Sequence, residues 1–92
     1  MPALRDALGK WFTILDNLPK GTEIQINEEA ASPGPGARLT VALVVLPNLD
    51  ALALAIRAGT YDGEARVFAE VFRGPTSKVK TAIQEWNADI DI

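Results

Sequence analysis

Apolar residues recur at helical spacing near both ends of the chain. The amino-terminal set is separated by three or four positions, with charged residues between its members: Leu4, Leu8, Trp11, Phe12, Leu15 and Leu18. This period predicts an amphipathic helix over about 3–17, which ends before Pro19 and Gly21. A second helix is predicted over about 76–88, where the same spacing returns at Val79, Ala82, Ile83 and Trp86.

Between the helices, apolar and polar residues alternate as they do in half-buried strands. Asp62-Gly63 is a strong signal for a two-residue hairpin turn. Folding the chain there sets Leu54 opposite Val71 and brings the apolar residues of two strands onto one face. The segment 49–58 also fits a short helix, because its apolar residues satisfy both periods.

Two further turns extend this face across the sheet. A four-residue turn at 47–50 sets Val45 opposite Leu52. A loop over about 30–37 then allows Ile26 to lie opposite Val41. Each pairing places apolar residues of neighbouring strands on the same side, so we expect four strands to share one core face.

These elements predict an α+β fold, a two-layer sandwich of order α-β-β-β-β-α. In it, two helices cover one face of a four-stranded antiparallel meander. The alternative keeps residues 49–58 helical and gives the order α-β-β-α-β-α. With 92 residues, the chain is expected to form one domain, residues 1–92, around one core.

The second sheet face predicted by this register mixes arginine, phenylalanine and small residues, whereas a solvated face would carry more Thr, Lys and Glu. Aromatic and arginine side chains around small residues are typical of protein docking surfaces. The candidate partner-binding residues are Arg38, Arg57, Tyr61, Arg66, Phe68, Glu70 and Phe72. The occupant of this face is expected to be another protein or a second copy of the chain.

Composition narrows the possible chemistry. The sequence has no Cys and no His, which removes thiolate and imidazole metal ligands, Cys nucleophiles and His-based triads. Its carboxylates form no pattern typical of an acid–base pair or a calcium loop. We therefore expect a protein that is not an enzyme and that has no metal site and no cofactor.

Charge and hydropathy restrict the partners. The formal net charge of −3 opposes binding to nucleic acid and favours a basic partner. The longest apolar run, over residues 39–46, contains one Thr and is too short to span a membrane. The amino terminus carries charges of both signs and does not have the pattern of a secretory signal, so a cytoplasmic setting is expected.

The start of the second helix is a candidate anion site. Thr76, Ser77 and Lys78 combine two hydroxyls and an amine with the exposed N–H groups of a helix amino terminus. The alternative is that Thr76 or Ser77 caps the helix.

Taken together, these features are typical of a small acidic binding protein of the immunity, inhibitor or adaptor type. The alternative function is a homo-oligomeric structural or scaffold subunit that uses the same face for self-association.

Overall fold

The computed structural model describes residues 2–30, 37–61 and 63–89. Within these residues, two helices flank four strands: α1 (Pro2–Leu15), β1 (Glu23–Ala30), β2 (Arg38–Val45), β3 (Asp50–Tyr61), β4 (Glu64–Pro75) and α2 (Thr76–Asp89). The strands form one antiparallel sheet in the order β1-β2-β3-β4. The α+β class, the element order and the meander are confirmed, and the alternative with a helix over 49–58 is wrong.

The hairpin between β3 and β4 has the predicted register. Leu54 pairs with Val71, and the pairing continues to Tyr61 and Glu64 at the turn. Gly63 has a φ of 78°, which glycine adopts without the steric cost that a Cβ would add. Asp62, the other residue of the predicted turn, lies outside the described residues.

The turn between β2 and β3 is one residue shorter than predicted. The N–H of Leu46 donates to the carbonyl of Asp50 at 2.8 Å, which closes a loop of three residues. Inside this loop, Leu49 has a φ of 68°, a left-handed conformation that non-glycine residues rarely adopt. The Asn48 side chain accepts a hydrogen bond from the N–H of Asp50 and supports the same turn.

This shorter turn displaces the pairing of β3 with β2 by one residue. Val45 lies opposite Ala51, one residue away from the predicted partner. The pairing of β1 with β2 is displaced as well, so that Ile26 lies opposite Ala42. Because side chains alternate between the two faces of a sheet, each displacement moves the residues of one strand to the other face relative to its neighbour.

The two helices lie on opposite faces of the sheet, which corrects the expectation that both cover one face. Trp11 of α1 packs in a cluster with Leu54 of β3. Ile83 of α2 packs in a separate cluster with Ala53, the preceding residue in β3. Consecutive strand residues project to opposite faces, so the sheet is the middle layer of three.

Strand β3 is buried on both faces, and its sequence suits this position. Over residues 51–56, the side chains facing α1 are large and those facing α2 are small: Leu52, Leu54 and Ile56 on one side, and Ala51, Ala53 and Ala55 on the other. The small side chains leave room for α2 and its aromatic contacts. Trp86 of α2 meets Phe72 of β4 edge to face, with ring centroids 5.8 Å apart.

Strand β1 is the opposite case. Both helices pack on β3 and β4. Every side chain from Glu23 to Glu28 is exposed, on both faces of the strand. Strand β1 is therefore left uncovered by both helices.

Candidate functional site

The predicted docking face is not open, because α2 covers most of it. Phe72 belongs to the core beneath α2, and Phe68 is half-buried on the same face. Glu70 and Arg66 remain exposed, and Arg66 forms an ion pair with Glu64 at 3.9 Å. These residues flank a packed helix and do not form a continuous free surface.

Arg57 has a structural role that the sequence analysis missed. Its side chain is fully buried, with 0% exposed, although it was expected on the docking face. A guanidinium nitrogen donates a hydrogen bond to the main-chain oxygen of Asn87, in the last turn of α2. Carbonyl groups at a helix carboxyl end lack partners within the helix and carry partial negative charge, so a cation is favourable there. Arg57 therefore fastens the end of α2 to the sheet.

Arg38 is separated from the other predicted residues by the sheet itself. It pairs with Ala58, on the face that α1 covers. Its guanidinium forms an ion pair with Glu28, and both side chains are more than half exposed. Only the main chain of Tyr61 is described, at the end of β3.

The start of α2 is occupied by contacts within the chain. The hydroxyl of Thr76 donates a hydrogen bond to the carbonyl of Leu49, and so does its N–H, at 3.2 Å. Ser77 and Lys78 are exposed in the first turn. The Thr76 hydroxyl thus attaches the helix to the β2–β3 turn, which accounts for this residue without an anion.

Among the side chains of the sheet that the structure describes, the most exposed large apolar ones lie on β1. Ile24 is 57% exposed and Ile26 is 73% exposed. Both lie on the face that α1 covers, opposite Val44 and Ala42 respectively. They were predicted to be core residues, but α1 does not extend over them.

Phe12 of α1 adds to this exposed surface and is 59% exposed. Lys10 lines a depression together with Glu70 and Val71 of β4. The flank of α1 that carries Lys10 therefore lies toward β4. A helix turns about 100° per residue, so Phe12 lies about 200° around α1 from Lys10. It is therefore on the flank toward β2 and β1. We call Phe12, Ile24 and Ile26 the open apolar surface.

One signal in the sequence marks this surface. The segment Glu23–Ala30 contains only two large apolar residues, while β3 is apolar on both faces. A strand that is polar at most positions belongs at the edge of a sheet, where charged side chains are tolerated. This contrast indicates that β1 is an edge strand.

On the other face of the sheet, a groove of about 360 Å³ lies between α2 and the first two strands. Its floor is apolar and its rim is polar, and the lining residues include Leu39, Val41, Ile83, Asn27, Lys80 and Gln84. Leu39 is almost completely buried, so the groove is shallow at that point. With Glu28, its polar groups are two amides, an amine and a carboxylate, and they form no pattern typical of a catalytic site.

The described residues, 2–30, 37–61 and 63–89, contain no group of three or more His, Cys, Asp or Glu that could hold a metal ion. No helix in this part of the chain is both long and apolar enough to cross a membrane. Comparison with protein-family models, curated proteins and solved structures gave no match, so a function has to be argued from the geometry of the chain itself.

Proposed function

We propose that this chain is a small, acidic, non-catalytic protein that docks on another protein through the open apolar surface. The observation that carries the proposal is the exposure of Phe12 on α1 and of Ile24 and Ile26 on β1, the strand that the helices leave uncovered. Exposed apolar side chains grouped on one face are a feature of protein interaction sites. This surface replaces the one predicted on the other face.

The polar surroundings suit a protein partner with basic residues. Glu23 lies on the same strand as the isoleucines, and Glu28 follows them beside Arg38. The chain has a net charge of −3, which attracts a basic partner over distances of about 10 Å at moderate salt. An apolar centre with a charged rim is the usual arrangement of a transient protein interface.

An inhibitor, immunity protein or adaptor works by occupying a surface of its target, so it needs a docking face and no catalytic group. The absence of Cys and His from the sequence is compatible with such a role. The proposal keeps the cytoplasmic setting expected from the sequence. Self-association as a scaffold subunit, the alternative function, requires the same surface to bind only further copies.

Capture experiments with matched variants test the proposal. The parent chain, immobilised, is expected to retain a specific protein from a lysate of the organism that encodes it, and the double variant Ile24→Lys, Ile26→Lys is expected to lose it. Leu49→Lys is the control, because Leu49 is 71% exposed but lies in the β2–β3 turn. Equal capture by all three proteins would refute the proposal, and so would the failure of the parent to retain anything specific.

A further inference from the structure

The outer edge of β1 is a second feature of this uncovered strand, distinct from its apolar side chains. Among the described strands, β1 pairs only with β2, so the N–H and C=O groups along its other side have no strand partner there. Natural sheets protect such edges with proline, with charged side chains, lysine above all, or with a covering element. The segment from Glu23 to Ala30 contains neither proline nor lysine, and its charged residues, Glu23, Glu28 and Glu29, lie toward its two ends.

The opposite edge of the sheet is less accessible. Both helices pack against β4, one on each face. Asp6 and Lys10 of α1 line a depression together with Ala69 and Glu70 of that strand. A second sheet approaching β4 would meet both helices, whereas the exposed faces of β1 leave room for one.

The sequence of β1 is complementary to itself in one antiparallel register. A two-fold axis through Gln25 places Ile24 of one copy opposite Ile26 of the other, and this contact occurs twice. Paired strand residues project to the same face, so the four isoleucines lie side by side on the face that α1 covers. In the same register Glu23 lies opposite Asn27, and the axis brings two neutral amides together at Gln25.

The charges of β1 are compatible with this register. Glu28 lies opposite Thr22 of the second copy and keeps its ion pair with Arg38. Like charges directly opposite each other would oppose pairing. In this register no carboxylate of the segment 22–28 lies opposite another carboxylate. A shift by one residue in either direction would place an isoleucine opposite a polar residue and remove this match.

We propose that β1 pairs with β1 of a second copy, antiparallel about Gln25, to form a continuous eight-stranded sheet. This inference rests on the proposed function, because the pairing joins two open apolar surfaces into one and thereby completes the docking face. Each copy contributes Phe12, Ile24 and Ile26 to the same side of the dimer. The binding unit is then a symmetric dimer, and the partner contacts residues of both copies.

Charge variants at the axis test the pairing without changing the open apolar surface. Gln25 projects to the face opposite Ile24 and Ile26. Gln25→Glu and Gln25→Lys each place two like charges opposite each other, so each is expected to raise the dimer dissociation constant about tenfold or more. An equimolar mixture of the two variants should restore the dimer, since unlike charges then meet. Light scattering behind a sizing column, over a range of concentrations, measures the molar mass of the parent, of each variant and of the mixture.

Single cysteines test the register, since the chain has no Cys of its own. Residues directly opposite each other have Cα atoms about 5 Å apart, within the limit of about 7 Å for a disulfide. Gln25→Cys is therefore expected to form a disulfide-linked dimer in the presence of diamide. Asn27→Cys should remain unlinked, because its two copies would lie about 13 Å apart along the strands.

Several results would overturn the inference. They are a monomeric parent at every concentration, a dimer that neither Gln25 charge variant weakens, and cross-linking at residue 27 in place of residue 25.

The inference and the proposed function fail separately. A monomer that still loses its captured protein through the isoleucine substitutions overturns only the dimer. A dimer confirmed by the mixture, with capture unaffected by those substitutions, overturns only the docking proposal.

Discussion

One row of side chains across the sheet contains both a core residue and an exposed one. Ile26 of β1, Ala42 of β2, Leu54 of β3 and Val71 of β4 lie side by side on the face that α1 covers. Leu54 is 4% exposed, whereas Ile26 is 73% exposed. The two residues are similar in size and hydrophobicity, so the difference comes from the position of the helix above them. Burial in this fold is decided by which strands the helices cover.

The largest expected effect comes from truncating the buried residue of that row, Leu54, in comparison with the exposed one, Ile26. Leu54→Ala should lower the free energy of unfolding by about 2–4 kcal/mol, because it removes buried methyl groups and leaves a cavity. Ile26→Ala removes a comparable volume at an exposed site and should change it by less than about 0.5 kcal/mol. Urea denaturation measures both at a concentration where the chain is monomeric. Equal losses for the two variants would mean that β1 is covered in solution.

The two arginines on the face that α2 covers provide a second contrast. Arg57→Ala should cost about 2–3 kcal/mol, because it removes a buried side chain and leaves the main-chain oxygen of Asn87 without that donor. Arg66→Ala should cost less than about 1 kcal/mol, since its ion pair with Glu64 is solvent-exposed. Thermal unfolding followed by circular dichroism compares them. A cost for Arg66→Ala as large as that for Arg57→Ala would contradict the assigned role of Arg57.

The smallest expected effect concerns the turn that sets the faces of β3. Leu49 has a φ of 68°, which costs a leucine about 1 kcal/mol relative to residues that tolerate this conformation. Leu49→Asn should therefore stabilise the chain by about 0.5 kcal/mol. Leu49→Ala is the control, because it removes the exposed side chain without this conformational preference. A gain for alanine equal to that for asparagine would show that the backbone conformation is not the cause.

The sequence was sufficient to predict the elements and their order. Both helices followed from apolar spacing, and the β3–β4 register followed from Asp62-Gly63, whose turn length is well defined. The other turn was harder to predict, because a three-residue loop requires a left-handed conformation that leucine rarely adopts. Nothing in the local sequence around Leu49 indicates that conformation. Arg57 and Phe72 keep the predicted face, but the one-residue difference in this loop turns the apolar side chains of β2 to that face, and α2 packs there.

The sequence predicted the type of site, a docking surface, but not the residues that form it. Aromatic and apolar residues outside the core were expected to form a docking surface, but their identity depended on which strands the helices cover. Alternation within β1 shows that Ile24 and Ile26 share a face, and it gives no information about what lies above them. That position is set by contacts between elements far apart in the sequence, such as Trp11 with Leu54.

Amide hydrogen exchange, measured residue by residue over a range of protein concentrations, tests the central claim most directly. The amides of β3 should be strongly protected at every concentration, because strands pair with it on both sides. Along β1, every second amide faces away from β2 and should exchange rapidly in dilute samples, then more slowly as the dimer forms. Uniform protection of β1 at the level of β3 in the most dilute sample would contradict the claim that this edge is open.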